Sequence, residues 1–297
     1  IMNDDIEKII KWNYELDELG IDTISCAGSI AFAMELQEKG LWDSGLEFGK
    51  TDNISEVFRL IANREGIGDI LADGTKRMSE KFGGKEFAIH AKGMELAAYE
   101  PRGAVGQGLG YAVANRGGCH LNGGYLVVME GLGLSINPYP TGAKAGLCAM
   151  FQDLMETCSA GGNCLFTTYA FFPTFLISKP NGMIARVVNK VATKIGFAIS
   201  LILRVPTALA LHLPFNMLPH TKAIAAATGM KMNFGRFIRI GERGYNLERL
   251  IDVRLGVSAK DDTLPERLTT ELQIATNLLE SYLLHLNRSF RLQIPSL

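Results

Sequence analysis

Three short stretches carry residue types that could do chemistry. "METCSAGGNC" sets Cys158 and Cys164 on either side of small residues, and it is the only place where two of the five cysteines fall within six positions. Such a pair can be half of a disulfide framework, two buried thiols, or one part of a metal site completed elsewhere. "NRGGCHL" offers Asn115, Arg116, Cys119 and His120. Histidine is the side chain best suited to move protons near neutral pH, although a lone histidine is more often a hydrogen-bonded structural residue. Adjacent residues point in different directions, so Cys119 is not expected to pair with His120 as a nucleophile.

The third stretch is "DELGID", with Asp17 and Asp22 around Gly20 where one helical stretch ends and another begins. Two carboxylates there can accept hydrogen bonds from a polar ligand, and the following helix exposes N–H groups that could receive an anion. The same spacing suits a glycine helix stop followed by an aspartate helix cap, and on spacing alone that simpler reading is favoured. "SAGGNC" (Ser159, Gly162, Asn163, Cys164) repeats the form of "DELGID": a polar or small residue, two spacers, glycine, one residue, then a potential ligand. Two such turns could clamp the two halves of a symmetric cofactor, although so loose a match arises often by chance. Common catalytic motifs are missing. The sequence holds no CxxC, HExxH, GxSxG or phosphate-binding loop, and "GQGLGYA" from Gly106 follows no strand, which makes it a poor dinucleotide site.

The elements that must position these residues read as helices. Residues 3–20 show helical spacing, with Ile6, Ile9, Ile10, Trp12, Tyr14, Leu16 and Leu19 expected roughly on one face and Gly20 as the stop. A second helix is expected from Thr23 to Lys39, a third in "ISEVFRLIANREG" ended by Gly66, and a fourth in "IGDILADGTKRMSEKFGG" ended by Gly83 and Gly84. From about Phe87 the chain is crowded with glycine and loses any sustained period, which suits either tight turns with close helix contacts or a wall around a bulky ligand. Helical spacing resumes in "TGAKAGLCAMFQDLMETC" and in residues 220–256, and Pro265 marks a turn. No alternating strand set appears, so the fold class is mainly α, with a helical domain over residues 1–90 and a second over 91–297. The apolar run Ile195 to Phe215 carries Arg204 and Pro206 near its centre. It is expected to be a buried helix, or a pair broken at Pro206, and not a membrane span.

Composition limits the class. In 297 residues, 47% are hydrophobic and 21% charged, which is globular and not disordered. A net charge of −1 with scattered Lys and Arg gives no basic stripe for nucleic acid. Five cysteines are too few and odd in number for a secreted disulfide scaffold, and the acidic start is no signal peptide, so a cytoplasmic setting is expected.

Six segments then occur in an order that resembles a known family: "DELGIDTIS", "AFAMELQEKG", "REGIGDILADGTKR", "YEPRGAVGQGLGYAVANRGGCH", "FQDLMETCSAGGNC" and "GERGYNLERLIDVRLGVSAKDDTLPERL". Together they look like the carboxy-terminal part of an aldehyde:ferredoxin oxidoreductase. The resemblance implies a tungsten or molybdenum bis-pterin cofactor, a [4Fe-4S] cluster, oxidation of an aldehyde to a carboxylic acid, and ferredoxin or a similar carrier as electron acceptor. It implies two helical domains that enclose the cofactor beneath an amino-terminal pterin domain supplied elsewhere, and it allows a homodimer. The family carries two D-x-x-G-L-D/C motifs, one per pterin. "DELGID" matches the first with Ile21 for Leu, which assigns Asp17, Gly20, Ile21 and Asp22 to one pterin. "SAGGNC" stands at the second, assigning Ser159, Gly162, Asn163 and Cys164, with Cys164 also a cluster ligand; His120 is implied near the metal as a proton donor or substrate-orienting group. Ser159 replaces the family Asp and Asn163 the usual Leu. The family's C-x-x-C-x-x-x-C run upstream of the first motif has no counterpart in the 16 residues before Asp17. A fragment or a subunit of a split enzyme is therefore expected, since one thiolate cannot hold a cluster. The alternative is a cofactor-free remnant or helical interaction module.

Overall fold

The computed structural model describes residues 1–132, 136–142, 144–167 and 219–271, with isolated positions between 178 and 191. The expected helix or helix pair of Ile195 to Phe215 lies outside the described residues, and among those described no single helix is long and apolar enough to cross a membrane. The fold is mainly α. Two compact units divide the chain: Ile1–Ala98 with Arg116–Cys119 and Thr263–Leu272, and Tyr99–Asn115 with His120–Asp262 and Gln273–Leu297.

The first unit is built from α1 (Ile6–Leu19), α2 (Thr23–Glu38), α3 (Ile54–Asn63), α4 (Ile67–Leu71) and α5 (Gly74–Phe82). Asp5 caps α1 by accepting the N–H groups of Glu7 and Lys8. Helix α2 runs through the core, burying Ile30, Phe32, Ala33, Met34 and Leu36 on several sides, against Trp12, Phe58, Met78 and Phe87. Burial of this kind, not a polar–apolar stripe, holds such a helix. A two-stranded antiparallel pair, β1 (His90–Ala91) and β2 (Met94–Glu95), follows. Buried Glu95 accepts from the Thr75 N–H at 2.7 Å and from the Ser29 hydroxyl at 3.2 Å, tying β2 to α5 and α2.

Three expectations for this unit are corrected. Only Trp12 and Leu16 of α1 are buried, whereas Ile6, Ile10 and Tyr14 are 63%, 64% and 64% exposed. At 100° per residue the 6–10–14 row lies away from the 12–16 row, so the expected single face is two. Helix α3 stops at Asn63 because Arg64 adopts the left-handed conformation at φ 53°, before Gly66 is reached. The expected fourth helix is two helices, α4 and α5, parted where Gly74 turns to φ 80°, with the Arg64 guanidinium bridging Asp69 and Asp73 across the break.

The segment Thr263–Leu272 rejoins the first unit. Its short helix α10 (Glu266–Thr270) starts after Pro265, and Arg267 makes a bidentate pair with Glu35 of α2 at 2.6 and 2.9 Å.

The second unit contains α6 (Val105–Val113), α7 (Lys144–Ala160), α8 (Pro219–Thr228) and α9 (Phe234–Arg254). The helical stretch expected over 220–256 is broken at Gly229, where φ is 71°. Helices α7 and α9 cross at glycines. A Cβ on Gly241 would lie 1.8 Å from the Asp153 carbonyl, and the Thr157 hydroxyl donates to the Phe237 carbonyl at 2.5 Å. Helix α6 lies in the glycine-crowded stretch that showed no period. Its glycines permit close approach: a Cβ on Gly110 would meet the Gly123 carbonyl at 2.3 Å. The buried Glu130 carboxylate accepts the Gly106 and Gln107 N–H groups at the start of α6 and the Lys144 ammonium.

Candidate cofactor-binding turns

Each six-residue stretch forms the end of a helix, and the two ends are closed alike. In "DELGID", Gly20 is left-handed (φ 69°, ψ 30°), its N–H donates to the Asp17 carbonyl at 3.1 Å, and the Ile21 N–H donates to the Leu16 carbonyl at 2.9 Å. In "SAGGNC", Gly162 is left-handed at φ 71°, its N–H donates to the Ser159 carbonyl at 3.0 Å, and the Asn163 N–H donates to the Cys158 carbonyl at 3.0 Å. Residue by residue these are one hydrogen-bond pattern, a glycine stop with a six-to-one closure. The sixth position then opens the next helical turn in both. Asp22 caps α2, its carboxylate accepting the Ser25 N–H at 2.7 Å and its carbonyl the Cys26 N–H at 3.0 Å. The Cys164 carbonyl accepts the Thr167 N–H at 3.0 Å and the Thr167 hydroxyl at 2.5 Å.

The pattern therefore has a structural cause, and it also leaves side chains facing outward. Asp17 and Asp22 are exposed and Ile21 is half-buried. Helix α1 meets α2 at a bend of 112° across Gly20, so both carboxylates stand at a corner. In the second unit Ser159 and Cys164 are exposed, while Asn163 is half-buried and donates to the Gly161 carbonyl at 3.3 Å. Cys158 is fully buried, and burial pushes its thiol up to about 12, which keeps it protonated.

His120 is half-buried in the same unit as the Cys164 turn. Its ring lies 5.5 Å from that of Tyr99 and 5.6 Å from that of Tyr125, whose hydroxyls are 3.3 Å apart. Tyr125 in turn meets Phe166, two residues past Cys164, edge-on at 6.2 Å. An aromatic run thus joins His120 to the Cys164 turn. Sequence reasoning missed Tyr99, Tyr125 and Phe166, because 67 positions separate Tyr99 from Phe166 (99 to 166) and no local spacing links them. It also missed His220, whose Nε2 lies 2.6 Å from the Thr167 hydroxyl. Burial holds His220 below the ordinary histidine value, so it is neutral at neutral pH.

Whether these residues suit a pterin and a cluster follows from their chemistry. Exposed carboxylates at a helix corner suit the N–H groups of a pterin. Exposed Cys164 suits one thiolate ligand. Cys26 and Cys148 are buried with thiols pushed up to about 12, as is Cys158, so these three do not suit the same cluster.

The chain matches, over residues 1–282, the family model described as aldehyde ferredoxin oxidoreductase, domains 2 and 3. It belongs to the aldehyde ferredoxin oxidoreductase family. Among its relatives, the tungsten-containing aldehyde ferredoxin oxidoreductase of Pyrococcus horikoshii is 36% identical over 280 residues, covering 90% of this chain and 39% of the relative. That of Thermococcus kodakarensis is 35% identical over 278 residues, covering 90% and 38%. An aliphatic sulfonate oxidoreductase, WOR-like subunit, of Pyrococcus furiosus is 35% identical over 127 residues, covering 38% of this chain and 20% of the relative. The chain spans about two fifths of the length of the two longer-matching relatives.

Proposed function

We propose that this chain supplies the two helical domains of a bis-pterin oxidoreductase that converts an aldehyde to a carboxylic acid and passes two electrons to ferredoxin. The observation that carries the reading is the pair of identically closed turns, each presenting an exposed ligand type at its first and sixth positions. Asp17 and Asp22 accept hydrogen bonds from one pterin; Ser159 and Cys164 face the other, with a hydroxyl where a carboxylate would bind more strongly. Cys164 is one thiolate of a [4Fe-4S] cluster. The remaining ligands and the amino-terminal pterin domain lie outside residues 1–297. When bound, the tungsten or molybdenum centre would supply the two-electron chemistry. His120, oriented by Tyr99 and Tyr125, holds or delivers a proton at its ring nitrogen. The reaction balances as aldehyde plus water giving carboxylic acid, two protons and two electrons.

A sulfonate substrate is the second reading, favoured by the name of the Pyrococcus furiosus relative. The test is metal and product analysis of this chain purified together with the rest of the enzyme. Tungsten or molybdenum with iron, and acid formed from aldehyde, are expected; a complex free of all three metals overturns the proposal. Turnover of an aliphatic sulfonate with no turnover of aldehydes selects the second reading.

A further inference from the structure

The outer face of α9 carries a feature that cofactor binding does not use. Arg236, Arg239 and Arg243 are exposed and recur at three- and four-residue spacing, which places them on one helix face. With Met230, Ile240, Glu242 and Asn246 they line a shallow depression of about 660 Å³. Arg236 is anchored there. Its N–H donates to the Asn233 side chain at 2.8 Å and its guanidinium to the Lys231 carbonyl at 2.8 Å. Among the described residues of this lining, one carboxylate, Glu242, stands beside three guanidinium groups, so the lining is net positive although the chain as a whole is slightly acidic. Its position matters as much as its charge. Met230 and Ile240 also line a cavity of about 360 Å³ whose other wall is Gly161 and Asn163, the residues that lead into Cys164. The arginine face and the Cys164 turn are therefore neighbours in one unit.

We propose that this face docks an acidic electron-carrier protein beside the Cys164 turn. The inference rests on Cys164 as a cluster ligand. Electron tunnelling weakens steeply with distance, so a carrier must seat close to the group that reduces it. Guanidinium forks match surface carboxylates in pairs, and a positive face speeds encounter with an acidic partner. Each docked carrier leaves with one electron, so one aldehyde oxidised reduces two carriers.

Two measurements test this. Binding of a dye-labelled acidic ferredoxin to the full chain is read by fluorescence anisotropy at low and high salt. In the assembled enzyme, ferredoxin reduction is compared with reduction of benzyl viologen, a cationic dye. The variant carries Arg236→Glu, Arg239→Glu and Arg243→Glu; a companion carries Lys at all three. Wild-type binding is expected to weaken about tenfold from low to high salt, and the Glu variant to bind at least about tenfold less tightly at low salt. The Lys variant retains most of the affinity, and viologen reduction is unchanged in both. Should the Glu triple variant melt early, three single Arg→Gln variants carry the test, each expected to bind about two- to threefold less tightly. Ferredoxin binding equal in wild type and Glu variants overturns the proposal, as does tighter binding of a DNA oligomer or anionic vesicles than of ferredoxin. A complex that reduces no viologen and holds no cluster overturns the enzyme reading, while the anisotropy result still decides the docking face.

Discussion

Cys158 and Cys164 are six positions apart, yet the chain holds them in opposite conditions. One is fully buried at the end of α7 with its thiol pushed up to about 12; the other is exposed beyond the glycine stop. Brief iodoacetamide treatment of the native chain, read by peptide mass spectrometry, is expected to label Cys164 and to spare Cys26, Cys148 and Cys158 until the chain is denatured. Labelling of Cys158 at the rate of Cys164 would remove the distinction. The spacing of "DELGID" and "SAGGNC" showed the two turns in advance, because a left-handed position with no side-chain penalty is a local demand that glycine answers wherever it falls. The surroundings of His120 were not legible. Tyr99, Tyr125 and Phe166 meet it through tertiary packing, and no periodicity encodes that.

Helices were legible where end signals bracketed an apolar stretch, as in α2, where Asp22 opens the helix and Gly40 follows its end. They were misread where a single residue overrode the pattern: Arg64 turning left-handed ahead of Gly66, or Gly74 splitting α4 from α5. Helix α6 was invisible because its glycines serve contact with Gly123 and Glu130 and not amphipathic spacing. The crossing of α7 and α9 has a consequence for pH. Burial, with the charge of Glu242 second, pushes Asp153 up to about 7. A carboxyl raised in the folded state stabilises the fold while protonated. That contribution is present below the ordinary carboxylate value of about 4 and is lost as pH climbs through about 7. Melting temperature should therefore fall across that window, and Asp153→Asn should flatten the fall and melt a few degrees above wild type at pH 8. Parallel melting curves for the two proteins from pH 5 to 8 would show that Asp153 is not the source.

At the scale of the molecule, the chain holds both turns, one in each compact unit, and spans about two fifths of its longer-matching relatives. The family was legible because six segments kept their order, and order over 250 residues is far harder to reach by chance than any single motif. The proposed function requires that Cys164, and not its nearest cysteine, ligate the cluster. It is tested most directly by the iron–sulfur absorbance of the assembled enzyme carrying Cys164→Ser or Cys158→Ser. The first variant is expected to lose the absorbance and its iron while the second keeps both; equal loss in the two, or retention with Cys164→Ser, would overturn Cys164 as the ligand.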